Sequence, residues 1–309
     1  MPVTGLHHVT SITGPAQAAL DAYAGRLGLR LVKQTVNFDD PGTYHLYFAD
    51  AGARPGSVLT FFPWPADALR GRAGAGQARS LAYAVAPGAL DRWADRLAAD
   101  GDWNGPTERL GERVLSVRDP WGLVTELVEV EGDHGAWSDG RIPPDDALGA
   151  FHTVTLDSLD PEATARVLVD GYGLAEHSRG DGRTRFAGTA DRARFVDLLD
   201  APGEPGRMGV GTVHHVAFRV PSDEAEAEVR ERLLEIGLRP TPQIDRQYFH
   251  SVYAREPGGL LFEVATDPPG FDLDEPADAL GRSLQLPPQY EPQRAQIEAR
   301  LPPLALPSA

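Results

Sequence analysis

The chain has no cysteine among its 309 residues, which excludes disulfides, thiolate metal sites and a Cys nucleophile. The same absence suits a reducing compartment, and a cytoplasmic protein is expected. Lysine is almost missing. Lys33 is the single example, and arginine carries the remaining positive charge. Acids outnumber bases 45 to 29, for a net charge of −16, which argues against nucleic acid and anionic membrane as partners. No run of roughly 18 apolar residues is present, as a membrane-spanning helix would need. The opening "MPVTGLHHVT" lacks the charged start and apolar stretch of a secretory leader. The glycines of "GRAGAGQA" (71–78) precede no Lys-Ser/Thr, and "GVGTVHH" lacks a dinucleotide-fold context, so no phosphate cradle is expected. A small molecule is left as the partner.

What the chain does contain is repetition. "SVRDPWGLVTELVEV" (116–130) and "VYAREPGGLLFEVAT" (252–266) share an Arg, an acid, Pro, one residue, Gly, three residues and Glu. Acid-Pro-x-Gly is turn chemistry: Pro presets φ and Gly can take φ > 0. Upstream, 79–101 and 213–237 both read as strand, Pro-marked turn, amphipathic helix and Gly stop. Trp93 and Leu97, and Val229, Leu233 and Leu234, fall at helical spacing. Similar openings occur near residues 5 and 149. Four strand–helix–strands units result, over about 3–64, 78–131, 149–200 and 211–267. The stretch 132–148 reads as a linker between an N-terminal half (1–140) and a C-terminal half (141–309), the latter closed by a helical, Pro-rich tail.

Two of the four opening strands carry a histidine doublet, "GLHHVT" and "TVHHVAF". Side chains alternate along a strand, so His215 shares a face with Val213, Ala217 and Arg219, while His214 joins the more apolar Val216, Phe218 and Val220. His8 goes with Leu6, Thr10 and Ile12, and Glu263 with Leu261 and Ala265. His215 and Glu263 can therefore face one concave surface. Two imidazoles and a carboxylate hold Fe(II) and leave positions open; the ligand types alone fit Mn(II) equally. The second unit has Leu81 where the fourth has His215 when the two are aligned on Pro87 and Pro221. It keeps Glu126 opposite Glu263 and has Ser116 in place of Tyr253. His152, also on an opening strand, competes with His8 as second imidazole, and spacing does not choose between them.

Repeated β-α-β-β-β units resemble the vicinal oxygen chelate superfamily of glyoxalases, bleomycin-resistance proteins and extradiol dioxygenases, over about 265 residues. The resemblance implies an α+β fold of four βαβββ modules pairing into two cupped mixed-sheet barrels. "LVKQTVNFDDPGTYHLYFAD" (31–50) and "IDRQYFHSVYAREPGGLLFEVATDPPGF" (244–271), with both doublets, resemble the hydroquinone-type ring-cleaving branch. That likeness implies His8, His215 and Glu263 as ligands of Fe(II), with Mn(II) left open. It implies Tyr253, Arg246 and His214 as catalytic groups, and His7, Thr10 and His250 as substrate-binding ones. The implied reaction inserts both atoms of O2, the co-substrate, into a hydroquinone or related phenolic ring. A glyoxalase-like isomerase or lyase remains an alternative, although no second carboxylate stands beside His8. A non-catalytic resistance protein is a third reading, which an intact His/His/Glu set argues against. His45 reads as a hairpin residue. The tail leaves a pocket lid or a homo-oligomer contact open.

Overall fold

The computed structural model describes residues 2–132 and 135–306, so positions 133 and 134 of the expected linker lie outside it. The first module comprises β1 (Gly5–Thr13), α1 (Ala16–Leu20, running into a π-turn over Asp21–Arg26), β2 (Arg30–Asn37), β3 (Asp40–Ala49) and β4 (Val58–Pro63). The second has β5 (Gln77–Val85), α2 (Ala89–Leu97), β6 (Trp103–Arg109), β7 (Glu112–Arg118) and β8 (Val124–Glu129). The third has β9 (Phe151–Asp157), α3 (Pro161–Arg166, again followed by a π-turn), β10 (Ala175–Gly180), β11 (Arg183–Ala187) and β12 (Phe195–Leu199). The fourth has β13 (Thr212–Val220), α4 (Asp223–Glu235), β14 (Ile244–Asp245), β15 (Phe249–Arg255) and β16 (Leu261–Pro269). A short helix, α5 (Arg294–Arg300), lies in the tail.

The repeated acid of the turns has a visible purpose. Asp119 accepts from the amides of Trp121 and Leu123, both at 2.9 Å, and Glu256 accepts from Gly258 and Leu260. Gly122 and Gly259 sit at φ +95° and +96°, where a Cβ would be strained. Each turn thus fixes where the following strand begins, and with it the position of Glu126 or Glu263.

Pairing of the modules is out of chain order. One eight-stranded sheet runs β14-β15-β16-β13-β1-β4-β3-β2, the other β10-β11-β12-β9-β5-β8-β7-β6. The first and fourth modules therefore share a sheet, joined by antiparallel β1 and β13, and the second and third share the other. The halves read from the sequence are neighbours along the chain, but each sheet takes strands from both. Apolar strand faces meet the helices. Tyr172, after α3, packs on Phe218 and Phe262 at centroid distances of 4.6 and 5.5 Å, and Tyr23 packs on Phe61 at 4.3 Å. Of the apolar residues expected on α4, Val229 and Leu233 are buried but Leu234 is 40% exposed. The helix buries an i, i+4 stripe on β15 and β16, and position 234 lies outside it.

Helix α4 starts at Ser222, whose hydroxyl caps the Ala225 amide, and carries Asp223, Glu224 and Glu226 in its first turn. Glu226 is buried. Its Oε2 accepts from Gln243 at 2.6 Å, while Oε1 has no partner. Burial pushes its carboxyl up to about 7. Because the folded value exceeds the unfolded one, stability is lost as pH climbs from about 4.5 to about 7, and the loss persists above. Glu226→Gln should therefore raise stability at pH 8 by about 2–3 kcal/mol and change little at pH 4. Urea melts of both proteins at the two pH values check this; equal gains at both would sever the link to ionisation.

The tail lies along the first module. Lys33 is fully buried, with Nζ 2.5 Å from Asp274 and 2.6 Å from Glu275, and faces the Tyr248 ring. Tyr290 donates to the Phe38 carbonyl at 2.6 Å, and Gln34 bridges to Leu284. The only lysine thus clamps the tail to β2, and a buried cation tolerates that place because two carboxylates meet it.

Candidate functional site

Strand register brings the two doublets together. Across the central seam of the first sheet Thr10 faces His215 and His8 faces Ala217, which in turn faces Glu263. Register slips between Leu6 and His8, and between Thr10 and Ser11, leave His7 and His214 as bulged residues. The bulges change what plain alternation implies for His214. Its imidazole is not confined to the apolar face but bonds His215, Nδ1 to Nδ1, at 2.8 Å. His7 does the same to His8 at 2.9 Å, and the two ring pairs have nearly equal geometry, T-shaped with centroids 5.1 Å apart.

The outer nitrogens then converge. His8 Nε2 lies 3.3 Å from His215 Nε2 and 3.2 Å from Glu263 Oε2, and His215 Nε2 lies 2.9 Å from that oxygen. This is the only group of three or more such side chains positioned to hold a metal ion among the described residues. All three are buried. Burial raises the Glu263 carboxyl, but the imidazoles of His8 and His215 outweigh it and hold the group well below its usual range. Burial lowers His215 despite that carboxylate, favouring neutral imidazole. Neither oxygen of Glu263 has hydrogen-bond geometry to a partner, although both are shut away from solvent. A buried anionic carboxylate without donors, beside two lone-pair nitrogens, suits a divalent cation.

The doublets also set the tautomers. If Nε2 of His215 ligates, its Nδ1 must carry the proton and donate to His214, whose own proton then sits on Nε2. His7 is arranged likewise. Burial, then the neighbouring His8, lowers His7 well below the usual imidazole value, and burial with His215 lowers His214 to about 3. Both remain neutral at working pH. Substituting His7 or His214 by alanine should weaken metal affinity by about 10–100-fold, as loss of such an outer partner does elsewhere. Competition with a chromogenic chelator measures it, and an unchanged affinity would remove the orienting role.

Above the cluster lies a cavity of about 350 Å³. Phe38, Phe62, Trp64 and Phe249 supply aromatic walls, and Tyr253, Arg246 and His214 supply polar ones. Tyr253 stands edge-on to His215 at 5.7 Å, with the Arg246 guanidinium over its ring at 5.3 Å. Arg246 leaves Nε unpartnered and reaches Asp39 at 3.4 Å. Burial and Glu263 push the Tyr253 hydroxyl well above its ordinary value, so it stays a donor. The other sequence candidates are placed differently. His7 and Thr10 are buried behind the cavity wall. His250 does not line the cavity at all. It sits on the outer side, 2.7 Å from Asp223 of α4, whose hydrogen bond raises its pKa.

His45, read from sequence as a hairpin residue, does line the cavity, and so does its neighbour Tyr47. Tyr47 hydroxyl meets His45 Nδ1 at 2.9 Å, His45 Nε2 meets Thr60 at 2.7 Å, and Thr60 meets Thr10 at 2.8 Å. The signal was present in "TYHLYF": period-two alternation sends Tyr44, Leu46 and Phe48 to the core and His45 with Tyr47 to the cup. The tail edges this cavity through Tyr290 and Phe38 rather than covering it.

The second sheet repeats the plan with other residues. Glu126 faces Ala82 and Ser116, as Glu263 faces Ala217 and Tyr253. Ser80 faces Thr155, as His215 faces Thr10, and Ala82 faces Thr153, as Ala217 faces His8. The counterpart of His215 is therefore Ser80, not Leu81; Ala86, an extra residue between the strand end and Pro87, shifts an alignment anchored on prolines by one. His152 is bulged and corresponds to His7, and it bonds Glu112 at 2.8 Å in the other sheet. It takes no part in the cluster.

Residues 5–127 and 150–264 match the model of the Glyoxalase/Bleomycin resistance protein/Dioxygenase superfamily. MhqO of Bacillus subtilis, provisionally named a ring-cleaving dioxygenase, is 45% identical over 97% of this chain and 96% of its own. The chlorohydroquinone/hydroquinone 1,2-dioxygenase of Sphingobium indicum is 33% identical over 94% and 93%. A crystal structure of a provisionally assigned B. subtilis dioxygenase superposes with a TM-score of 0.95, at 44% identity over 100% and 99%. Maize glyoxalase I shares the fold alone, with a TM-score of 0.63 at 14% identity over 85% and 92%. On the matched modules and these near full-length relatives, the chain belongs to the glyoxalase/bleomycin resistance/dioxygenase superfamily and to its ring-cleaving dioxygenases.

Proposed function

We propose that this dioxygenase is Fe(II)-dependent and of extradiol type, cleaving hydroquinones or related phenols with insertion of both atoms of O2. The observation that carries the reading is the convergence of His8, His215 and Glu263 beneath an aromatic cavity of single-ring dimensions. The name of the Sphingobium relative supports the substrate class. An Fe(II) ion on the three side chains would supply neighbouring open positions for a phenol oxygen and O2, and a route for electrons between them.

The chain's own residues do the rest. A hydroquinone offers only one oxygen to the centre, so its far end needs another anchor. Phe62, Trp64 and Phe249 sandwich a ring and keep water out. Tyr253 and His214 Nε2, both donors here, orient the ring hydroxyl and hand over or receive a proton. The unpartnered Nε of Arg246 faces developing negative charge. An isomerase reading needs a second acidic ligand or base, and the cluster contains one carboxylate among the described residues.

Protein loaded with Fe(II) anaerobically should take up one O2 per hydroquinone and give a ring-opened product holding both labelled atoms from 18O2. No oxygen uptake with hydroquinone, its chloro and methyl derivatives, or catechol would falsify the proposal.

A further inference from the structure

We propose that the cup of the second sheet is a separate binding site for a small organic oxyanion, a carboxylate or phosphate. It encloses a cavity of about 550 Å³ at the place corresponding to the candidate metal centre. Both imidazole positions of the first cup, and that of Tyr253, have been exchanged there. Ser80 and Thr153 stand where His215 and His8 stand, and Ser116 stands for Tyr253. Glu126 is retained but neutralised, since Arg109 grips both its oxygens at 2.8 Å. A cation would find a guanidinium in its way.

Of the other charged groups on the lining, Arg79 is paired with Asp157 and Asp102 is a second carboxylate, whereas Arg183 and Arg118 are under-used. Arg183 lines the cavity half-buried, held among the described residues only by contacts of 3.4 Å to Thr155 and 3.5 Å to Asp197. Asp197 already spends both oxygens on Arg185, at 2.6 and 3.0 Å. Nε of Arg183 and Nε of Arg109 are buried without a hydrogen-bond partner among the described residues. Arg118, also on the lining, has no side-chain hydrogen bond or ion pair among the described residues. A guanidinium cannot shed its proton, so an incompletely matched one in a cavity is costly until an anion arrives. Its planar fork fits carboxylate and phosphate oxygens alike. Hydroxyls of Ser80, Ser116 and Thr155 stand beside it for the polar remainder of the ligand. In a chain of net charge −16, four arginines against two carboxylates on one cavity lining are not expected of a passive surface.

The inference is independent of the reading of the first cup, and its test uses metal-free protein without O2. Calorimetric titration with cis,cis-muconate, a six-carbon dicarboxylate, and separately with inorganic phosphate distinguishes the two acid types. Saturable binding of at least one, with Kd at or below about 1 mM, is expected. Arg183→Gln and the exposed Arg118→Gln should each weaken it roughly tenfold, and His215→Ala should not. Emission of Trp103, on the cavity wall, should respond in parallel in the full chain. Failure of both probes to saturate, indifference to both arginine variants, or loss in His215→Ala would overturn the site. Arg118→Gln keeps the test decisive should Arg183→Gln fold poorly.

Discussion

His215→Ala is expected to lower oxygen uptake with hydroquinone by more than about 1,000-fold and to leave the purified chain without stoichiometric iron. Two donors cannot define the site. With Nε2 of His215 gone, His8 and Glu263 remain, and His214 loses the partner that sets its proton. Open-site metal chemistry is worth several kcal/mol of barrier, and about 4 kcal/mol corresponds to three powers of ten. The fold should survive, because His215 pairs through its backbone with Thr10 and its removal spares the hydrophobic face of β13. Metal analysis beside a thermal melt separates the outcomes. Full iron content with full activity in His215→Ala would mean that the three side chains are not the centre. The bland account, two histidines satisfied within a strand core, predicts that result.

Tyr253→Phe is expected to reduce kcat by about 10²–10⁴-fold while leaving iron content unchanged, the range ordinary for a positioned proton donor. The substitution keeps the ring that lies edge-on to His215 and under Arg246, and removes only the hydroxyl. Because that hydroxyl titrates far above neutrality, the wild-type rate should show no loss of this donor between pH 6 and 9. A variant that loses activity only by losing metal would make Tyr253 a packing residue. One that keeps full kcat would shift the donor role to His214 or to the Tyr47–His45–Thr60 chain.

Much of the candidate site was legible because its signals are local. Acid-Pro-x-Gly turns put Glu126 and Glu263 at equal places in their modules, and strand alternation put His215 and Glu263 on one face. What alternation missed were the bulges. A bulge adds one residue to one strand only, so no pattern within that strand announces it. The slip between Thr10 and Ser11 brought His214 beside its neighbour's Nδ1, while one extra turn residue, Ala86 before Pro87, moved the counterpart of His215 from Leu81 to Ser80. The place of His250 was not legible for a related reason: its face is decided by the irregular pairing between Phe249 and Ser251, which turns it toward Asp223.

The sequence by itself determined the module count, the turn positions and the donor types, since these follow from composition and periodicity within a few tens of residues. Which module pairs with which was a tertiary decision. His8 and His215 are 207 residues apart, and His152 is nearer in sequence than His8 to both His215 and Glu263. Only the antiparallel seam between β1 and β13 makes His8 the neighbour, and hydrogen-bond register across a seam depends on two strands at once. The centre exists only while that seam holds: with β1 and β13 drawn apart in an experimental structure, neither the cluster nor its chemistry is left.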